Sequence, residues 1–576
     1  MSTNSITAAE CLPLKFITFW QNSQLIRLKI SFIIIMEGNL VDEIINKISL
    51  QYRDSAKKGR RIPFLLLILD GWGMAPDWGG NAISIACTQV FDDLCKHYPK
   101  TTLIASGSQV GLPDEAPGNS EAGHINIGAG RIVHQDITVI DEQISKNGLA
   151  QSKVFNEVIA HVKNNRSNLH LMGLLSKTGT HSHIKHLVPL LNDLKRLGVP
   201  QVFLHLFSDG RDSDPMKGIE YIDEVEQIIK QCGIGIIESI CGRFYAMDRD
   251  NRWGRITRAY NALTKAEAEK CDSAKKVFAQ SYSRHITDEF IKPSIIVNQH
   301  QNFVPISNND GIILFNFRSD RVKEITRAFM DPKLDEFPDR TQLMNIKFAS
   351  FTVYQTDDDL AEHIFEPQKI QTPLAKIISE NNLRQFRCAE TEKFPHVTYF
   401  INGANTNPYP KEDRLAIPSP KVNSYDMVPE MSAPKVLSTL LRALDSDYYD
   451  FYIVNFANPD IVGHTGNLSA AIVAVEYIDR CLGAITKKIL EKKGTMIVCA
   501  DHGNVEQMVN PQTGEADTEH TSNPVPFILV NDEIKNNLFL QMNGALNNIT
   551  PTILELYGFQ KPAEMSSRSS LIIRNQ

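Results

Sequence analysis

Three aspartates and three histidines of this chain lie in short polar motifs beside apolar runs, and together they make a metal-ligand set. The run Phe451 to Phe456 is followed by Asn458-Pro459-Asp460-Ile461-Val462-Gly463-His464, with aspartate and histidine four apart. In a helix or tight turn that spacing puts both side chains on one side. The run Thr495 to Ala500 leads into Asp501-His502-Gly503-Asn504, and Thr518-Glu519-His520-Thr521 comes just before the run at Pro526. Asp70 ends the run Pro63 to Leu69 in Asp70-Gly71-Trp72-Gly73. Oxygen and imidazole ligation without thiolate suits manganese, magnesium, cobalt or zinc, and the imidazoles tilt the choice from magnesium toward manganese. Any one of these pieces alone would read as a turn or a hydrogen-bonded pair; as a set they are enough for two metals.

A nucleophile candidate stands in Gly118-Asn119-Ser120-Glu121-Ala122-Gly123-His124, a glycine-flanked turn that runs into a helix-compatible segment. A helix start concentrates unpaired N–H groups and the positive end of the dipole, so a serine hydroxyl there can be activated and its phosphoryl ester stabilised. Asn-Ser before a helix is commonly just an N-cap, so Ser120 acquires its meaning from the ligand set around it. The middle third supplies cations: Asp209-Gly210-Arg211-Asp212, Gly242-Arg243, Met247-Asp248-Arg249-Asp250-Asn251-Arg252 and Asn316-Phe317-Arg318-Ser319-Asp320-Arg321 each follow an apolar run. Guanidinium forks match phosphate and carboxylate geometry, which suits a small acidic phosphorylated substrate; the bland alternative is a salt-bridged, solvated face. Thr180-His181-Ser182-His183 adds imidazoles near another strand end.

The elements that must position these residues read as strands alternating with helices. Continuous apolar runs occur at Pro63 to Leu69, Leu169 to Leu175, Val202 to Phe207, Ile234 to Ile240, Ile312 to Phe317, Phe348 to Tyr354, Phe451 to Phe456, Thr495 to Ala500 and Pro526 to Val530, with a short strand at Thr102 to Ala105 and a helical segment from Asn81 to His97. This is α/β architecture with strands buried on both faces and ligands at their carboxyl ends. Linkers are expected near Arg131 to Asp141 and in the acidic, proline-marked stretch from Asp357 through Pro367 to Pro373. At 576 residues the chain exceeds one core, and two to four domains are expected. A net charge of −7 offers no general attraction for nucleic acid. Nine scattered cysteines without a C-x-x-C pair favour reduced thiols inside the cell. Residues 1–60 differ from the rest: Lys15, Arg27 and Lys29 interrupt the apolar Leu12 to Ile35, making a poor membrane span, and an amphipathic helix is expected from Val41 to Tyr52.

Taken in order, Asp70 to Gly73, Gly118 to Gly130, Asp209 to Asp212, Ala246 to Trp253, Ala389 to Lys393, Asn458 to Gly466, Asp501 to Asn504 and His520 to Phe527 closely resemble the motifs of cofactor-independent phosphoglycerate mutases, within the alkaline phosphatase superfamily. The resemblance runs from about residue 62 to 560 and implies two α/β/α domains, one inserted in the other. A metal-binding phosphatase-like domain would take 61–135 and 368–576, an inserted transferase-like domain 136–367, and residues 1–60 would be an extension. It implies two divalent ions, manganese first with magnesium or cobalt as alternatives, one on Asp460, His464 and His520 and one on Asp70, Ser120, Asp501 and His502. It further implies substrate binding by His181, Arg211, Asp212, Arg243, Arg249, Arg318, Arg321 and Lys393, with Ser120, Asp212 and Lys393 catalytic. The expected reaction converts 3-phosphoglycerate to 2-phosphoglycerate through phosphoserine without 2,3-bisphosphoglycerate, in a cytoplasmic monomer with no nucleic-acid or membrane partner. Ala122 stands where the motif usually has valine, and Asp114 to Pro117 precedes the serine turn in an unusual form. The rivals are another metal-dependent enzyme of the superfamily, against which the arginine sets argue, and a non-catalytic relative, whose signature would be a lost ligand.

Overall fold

Phe64–Leu69 is six apolar residues in succession, and all six are buried. Such a strand has no solvent face, so it must lie inside a sheet covered by helices on both sides. The computed structural model describes residues 43, 45–52, 61–299, 302–353, 360–366, 368–534, 538–565 and 567–573. These divide into two compact units, the first from Met1–His134 and Lys369–Gln576, the second from Gln135–Gln368.

In the first unit an eight-stranded sheet runs in the order Glu412–Ile417, Gln385–Glu390, Phe451–Phe456, Phe64–Leu69, Thr495–Cys499, Val525–Val530, Lys100–Ile104, Gly544–Ala545. The first five strands are mutually parallel, while Val525–Val530 is antiparallel to both neighbours. The long helix Leu468–Glu491 turns Ala471, Val475, Ile478, Leu482, Ile485 and Ile489 inward, the three- and four-residue spacing of one helix face. Its N-cap Asn467 accepts a hydrogen bond from the Ala470 N–H. Asp479 on the same helix accepts from the Val90 and Phe91 N–H groups at 3.0 and 2.8 Å, supplying to helix Gln89–His97 the cap that Thr88 does not make.

The second unit carries its own eight-stranded sheet, ordered Glu362–His363, Lys347–Ser350, Gly311–Leu314, Leu169–Leu175, Val202–Ser208, Ile236–Gly242, Ser294–Ile296, Glu269–Cys271. Every pairing is parallel except Ile236–Gly242 with Ser294–Ile296. Leu169–Leu175 and Val202–Ser208 are buried along their whole length.

The α/β class expected from the runs is therefore what the chain adopts, with local differences. The helical segment Asn81 to His97 is two helices, Ala82–Ile85 and Gln89–His97. The boundary between the two units, His134 to Gln135, falls within the linker expected at Arg131 to Asp141, whose second half is helix Asp136–Ser145, with Ile137 and Ile140 buried: an apolar pair at that spacing outweighs the polar composition. Residues 45–52 are helical, with Ile45, Ile48 and Tyr52 buried. Residues 1–42, and 357–359 and 367 of the second expected linker, lie outside the described residues. Among the described residues no helix is long and apolar enough to cross a membrane.

Candidate active site

The parallel strands of the first unit deliver the ligand-type residues to one end. Asp70 follows Phe64–Leu69, Asp501 follows Thr495–Cys499, and Asp460 lies on the short helix Asn458–Gly463 after Phe451–Phe456. Those three strands are adjacent in the sheet. Ser120 begins helix Ser120–Ala129, but the cap is its neighbour: the Asn119 side chain accepts from the Ala122 N–H, leaving the Ser120 hydroxyl for other work.

Two clusters result. In the first, His464 Nε2 and His520 Nε2 lie 3.3 and 3.2 Å from Asp460 Oδ1 and 3.0 Å from one another. In the second, Ser120 Oγ is 2.9 Å from His502 Nε2 and 3.5 Å from Asp70 Oδ1, and His502 Nε2 is 3.4 Å from Asp501 Oδ2. Lys393 reaches from the end of Gln385–Glu390 to both, its Nζ 2.5 Å from Asp70 Oδ1, 2.6 Å from Asp460 Oδ2 and 2.7 Å from Ser120 Oγ. All seven expected metal residues and Lys393 thus fall together.

The tautomers decide whether this donor set fits a cation. A carbonyl oxygen only accepts, so His464 Nδ1, 2.8 Å from Thr518 O, and His520 Nδ1, 2.9 Å from Gly118 O, each carry the ring proton. In the neutral rings both Nε2 atoms are then bare, and with Asp460 Oδ1 three lone-pair atoms converge on one point. His502 Nδ1 likewise faces Gly503 O, at 3.2 Å, which turns the bare Nε2 toward Ser120. Backbone carbonyls orienting imidazoles in this way are characteristic of metal centres, and the mixture of carboxylate and imidazole suits a divalent ion. Asp501 Oδ2 is buried, with His124 Nδ1 at 3.3 Å and His502 Nε2 at 3.4 Å.

Charge is finely balanced here. Burial, reinforced by Asp501, pushes Asp70 up to about 7 against the pull of Lys393. Burial likewise pushes His502 down to about 4. For Lys393 burial opposes the charge, and Asp460, Asp70 and Asp501 outweigh it to hold the ammonium above its usual range.

Sequence reasoning missed several neighbours. His124, four residues beyond Ser120 and so on the same helix face, is fully buried with Nδ1 2.9 Å from Ser120 O and 3.3 Å from Asp501 Oδ2. It can join Asp70 and Asp501 in a ligand group, as His502 can join Asp460 and His520. Asn455 donates to Asp70 Oδ2 at 2.6 Å and Asn504 to Asp460 Oδ1 at 3.0 Å. The i, i+4 spacing of Ser120 and His124 was the one available signal.

In the second unit Arg243 is buried, and its Nη1 donates to Asp209 Oδ1 and Asp212 Oδ2, both at 2.6 Å. Its Nε and Nη2 are buried without a partner, leaving half the fork for an anion. His181 lies with Nε2 3.6 Å from Asp212 Oδ2 and Nδ1 3.6 Å from Asp320 Oδ1, and burial, then Arg243, pushes it down to about 4. Arg249 and Arg318 close on Asp320 at 2.9 and 3.4 Å. Arg321 is lowered first by burial and then by the repulsion of Arg249, Arg243 and Arg211, so three guanidinium groups lie within electrostatic reach of it. Arg211 is tied to Glu289 at 3.0 Å.

The fold and this cluster define a metalloenzyme: the sequence profile of the metalloenzyme superfamily matches residues 62–561. A 2,3-bisphosphoglycerate-independent phosphoglycerate mutase of Clostridium botulinum is 45% identical over 507 residues, covering 88% of this chain and 99% of the relative. That of Chloroflexus aggregans is 44% identical over 536 residues, covering 89% and 99%. A phosphoglycerate mutase of Leishmania mexicana, whose crystal structures were obtained at low cobalt concentration, superposes with a TM-score of 0.70 at 29% identity, covering 89% of this chain and 98% of that one. The chain belongs to the family of 2,3-bisphosphoglycerate-independent phosphoglycerate mutases.

Proposed function

We propose that the protein interconverts 3-phosphoglycerate and 2-phosphoglycerate through a phosphoserine at Ser120, without 2,3-bisphosphoglycerate. The observation that carries this reading is the convergence of bare imidazole nitrogens and buried carboxylates around one serine hydroxyl. Two divalent cations, manganese by preference, on Asp460, His464 and His520 and on Asp70, Ser120, Asp501 and His502, would supply charge neutralisation and a lowered pKa for the serine hydroxyl.

The chain's own groups do the rest. Ser120 Oγ attacks the phosphoryl group at the 3-position, the bond from phosphorus to the 3-oxygen breaks to leave phosphoserine and glycerate, and the 2-oxygen then displaces Ser120 Oγ from phosphorus. Lys393 Nζ, 2.7 Å from Ser120 Oγ, stabilises the oxyanion and offsets phosphate charge during transfer. Arg243, with two unpartnered donors, and Arg249, Arg318 and Arg321 grip the acid groups of the glycerate, with His181 and Arg211 beside them. Asp212 Oδ2, held by Arg243, gives a proton to the 3-oxygen as its bond to phosphorus breaks, and takes the proton of the 2-hydroxyl as that oxygen attacks the phosphoserine. The enzyme acts as a cytoplasmic monomer in this reading.

The test is conversion of 3-phosphoglycerate by purified protein with no added 2,3-bisphosphoglycerate, with and without a chelator. Activity should vanish on exhaustive chelation and in Ser120→Ala. Turnover persisting in either case, or strict dependence on the bisphosphate, would overturn the mechanism.

A further inference from the structure

We infer that Glu506 is the positioning residue that fixes the geometry of the cation site, tying together the loops that carry its ligands; the inference rests on the two-cation reading above. Glu506 is fully buried, and its hydrogen bonds go to residues other than those assigned to metal or substrate. Its carboxylate accepts four hydrogen bonds. Oε2 takes the Gly73 N–H at 3.1 Å and the Asn504 N–H at 2.8 Å. Oε1 takes the Asn523 amide at 3.0 Å and the Thr521 hydroxyl. Gly73 belongs to the loop after Asp70, Asn504 to the loop after Asp501 and His502, and Thr521 and Asn523 to the segment after His520. One carboxylate therefore joins three ligand-bearing loops. A fourth is coupled through the same partner, since the Thr521 carbonyl accepts from the Gly118 N–H, two residues before Ser120, at 3.2 Å.

Two glycines make room for it. A Cβ on Gly73 would stand 2.2 to 2.4 Å from the Glu506 carboxylate, and one on Gly503 would stand 2.3 Å from its Oε1. The glycines of the Asp70-Gly71-Trp72-Gly73 and Asp501-His502-Gly503-Asn504 motifs thus serve the tether as well as the turns. A carboxylate receiving four neutral donors and lacking a cation of its own holds by hydrogen bonding rather than by ion pairing, and outer groups of this kind typically contribute 10–100-fold to metal affinity.

The chemistry also says what can replace it. In a glutamine the amide oxygen can serve Gly73 and Asn504. Its NH2 can donate to Thr521 Oγ and, once the Asn523 amide turns over, to that side-chain oxygen. Glu506→Gln therefore keeps the tether and loses the charge, whereas Glu506→Ala loses both.

The experiment titrates the full-length, metal-free protein with Mn2+ and reads free Mn2+ by electron paramagnetic resonance. Glu506→Ala should bind Mn2+ about 10–100-fold more weakly than the parent, and Glu506→Gln should recover most of the difference. Parent-like affinity in Glu506→Ala, or an equal loss in Glu506→Gln, would overturn the inference, the second by assigning the effect to charge. Should Glu506→Ala fail to fold, Thr521→Val removes a single donor. It should weaken the site that includes His520 more than the other, and unchanged affinity at both would overturn the tether. If the parent itself bound no Mn2+, the two-cation reading would fall, a result distinct from any difference between variants.

Discussion

Lys393→Met keeps the length and apolar stem of the side chain and deletes its ammonium. In the structure that ammonium lies 2.5 Å from Asp70 Oδ1 and 2.6 Å from Asp460 Oδ2, with all three side chains at most 5% exposed. Removing one partner of a buried pair leaves the other charge unpaired and costs about 3–5 kcal/mol. Domains of a few hundred residues lose roughly 2–4 °C per kcal/mol, so metal-free Lys393→Met should melt on the order of 10 °C below the parent. Manganese should reverse most of this loss, because cations can take over the neutralisation of Asp70 and Asp460. It should also bind more tightly to the variant, in which no ammonium competes for those oxygens. Turnover should nonetheless fall by about 10²–10³, as for loss of a preorganised donor at a developing oxyanion. The assay is thermal unfolding by circular dichroism with chelator and with Mn2+, beside the mutase assay. A metal-free variant that melts with the parent would refute the reasoning, since it would mean Lys393 carries no compensating charge in the folded chain.

Further outcomes follow from the second unit. Asp212→Asn should lower kcat by about 10²–10⁴, the usual worth of a positioned proton carrier, with a smaller change in KM; a change confined to KM would assign Asp212 to binding alone. Arg243→Lys keeps the charge but loses the unpartnered Nε and Nη2 half of the fork, and should raise KM for phosphoglycerate about tenfold or more; an unchanged KM would remove Arg243 from the grip. Burial lowers His170 and His205 below their ordinary 6.5, where they stack in a buried chain, His170 Nδ1 2.9 Å from His205 Nε2 and His205 Nδ1 2.9 Å from Ser239 Oγ. The unfolded chain then binds more protons than the folded one below about pH 6.5, so their contribution is fully present above that pH and is lost as pH falls, by up to about 1.4 kcal/mol per unit for each histidine. Between about pH 7.5 and 5.5 the urea midpoint of the parent should fall relative to that of His205→Gln; parallel profiles would contradict the assignment.

Much of the site was legible because its chemistry is written in side chains that have few other reasons to follow a strand. Asp70, Asp460 and Asp501 each stand after an apolar run, and the runs themselves show as uninterrupted hydrophobicity. Gln385–Glu390, the strand that delivers Lys393, did not show, because Gln385, Arg387 and Glu390 are polar and yet buried. Arg387 Nη2 donates to Gln385 Oε1 at 2.5 Å, a contact within the strand that no periodicity reveals. Glu412–Ile417, with alternating exposure, hid for the opposite reason, being charged and at the edge. Glu506 was illegible on principle: its meaning lies in partners such as Gly73, 433 residues away in sequence. Asn119 taking the cap from Ser120 is finer still, since either residue type could fill the position.

The central place of Phe64–Leu69 has a consequence for how the chain is made. Both its neighbours in the sheet, Phe451–Phe456 and Thr495–Cys499, leave the ribosome long after it does. Asp70 and its partner Asn455 are 385 residues apart. At 5–20 residues per second the first strand waits roughly 20–80 s for its partners, while the whole of the second unit is translated in between. During that interval six consecutive apolar residues with unpaired backbone must be kept from other chains, so a segment that ends fully buried in the enzyme is, in the nascent polypeptide, one in need of a chaperone.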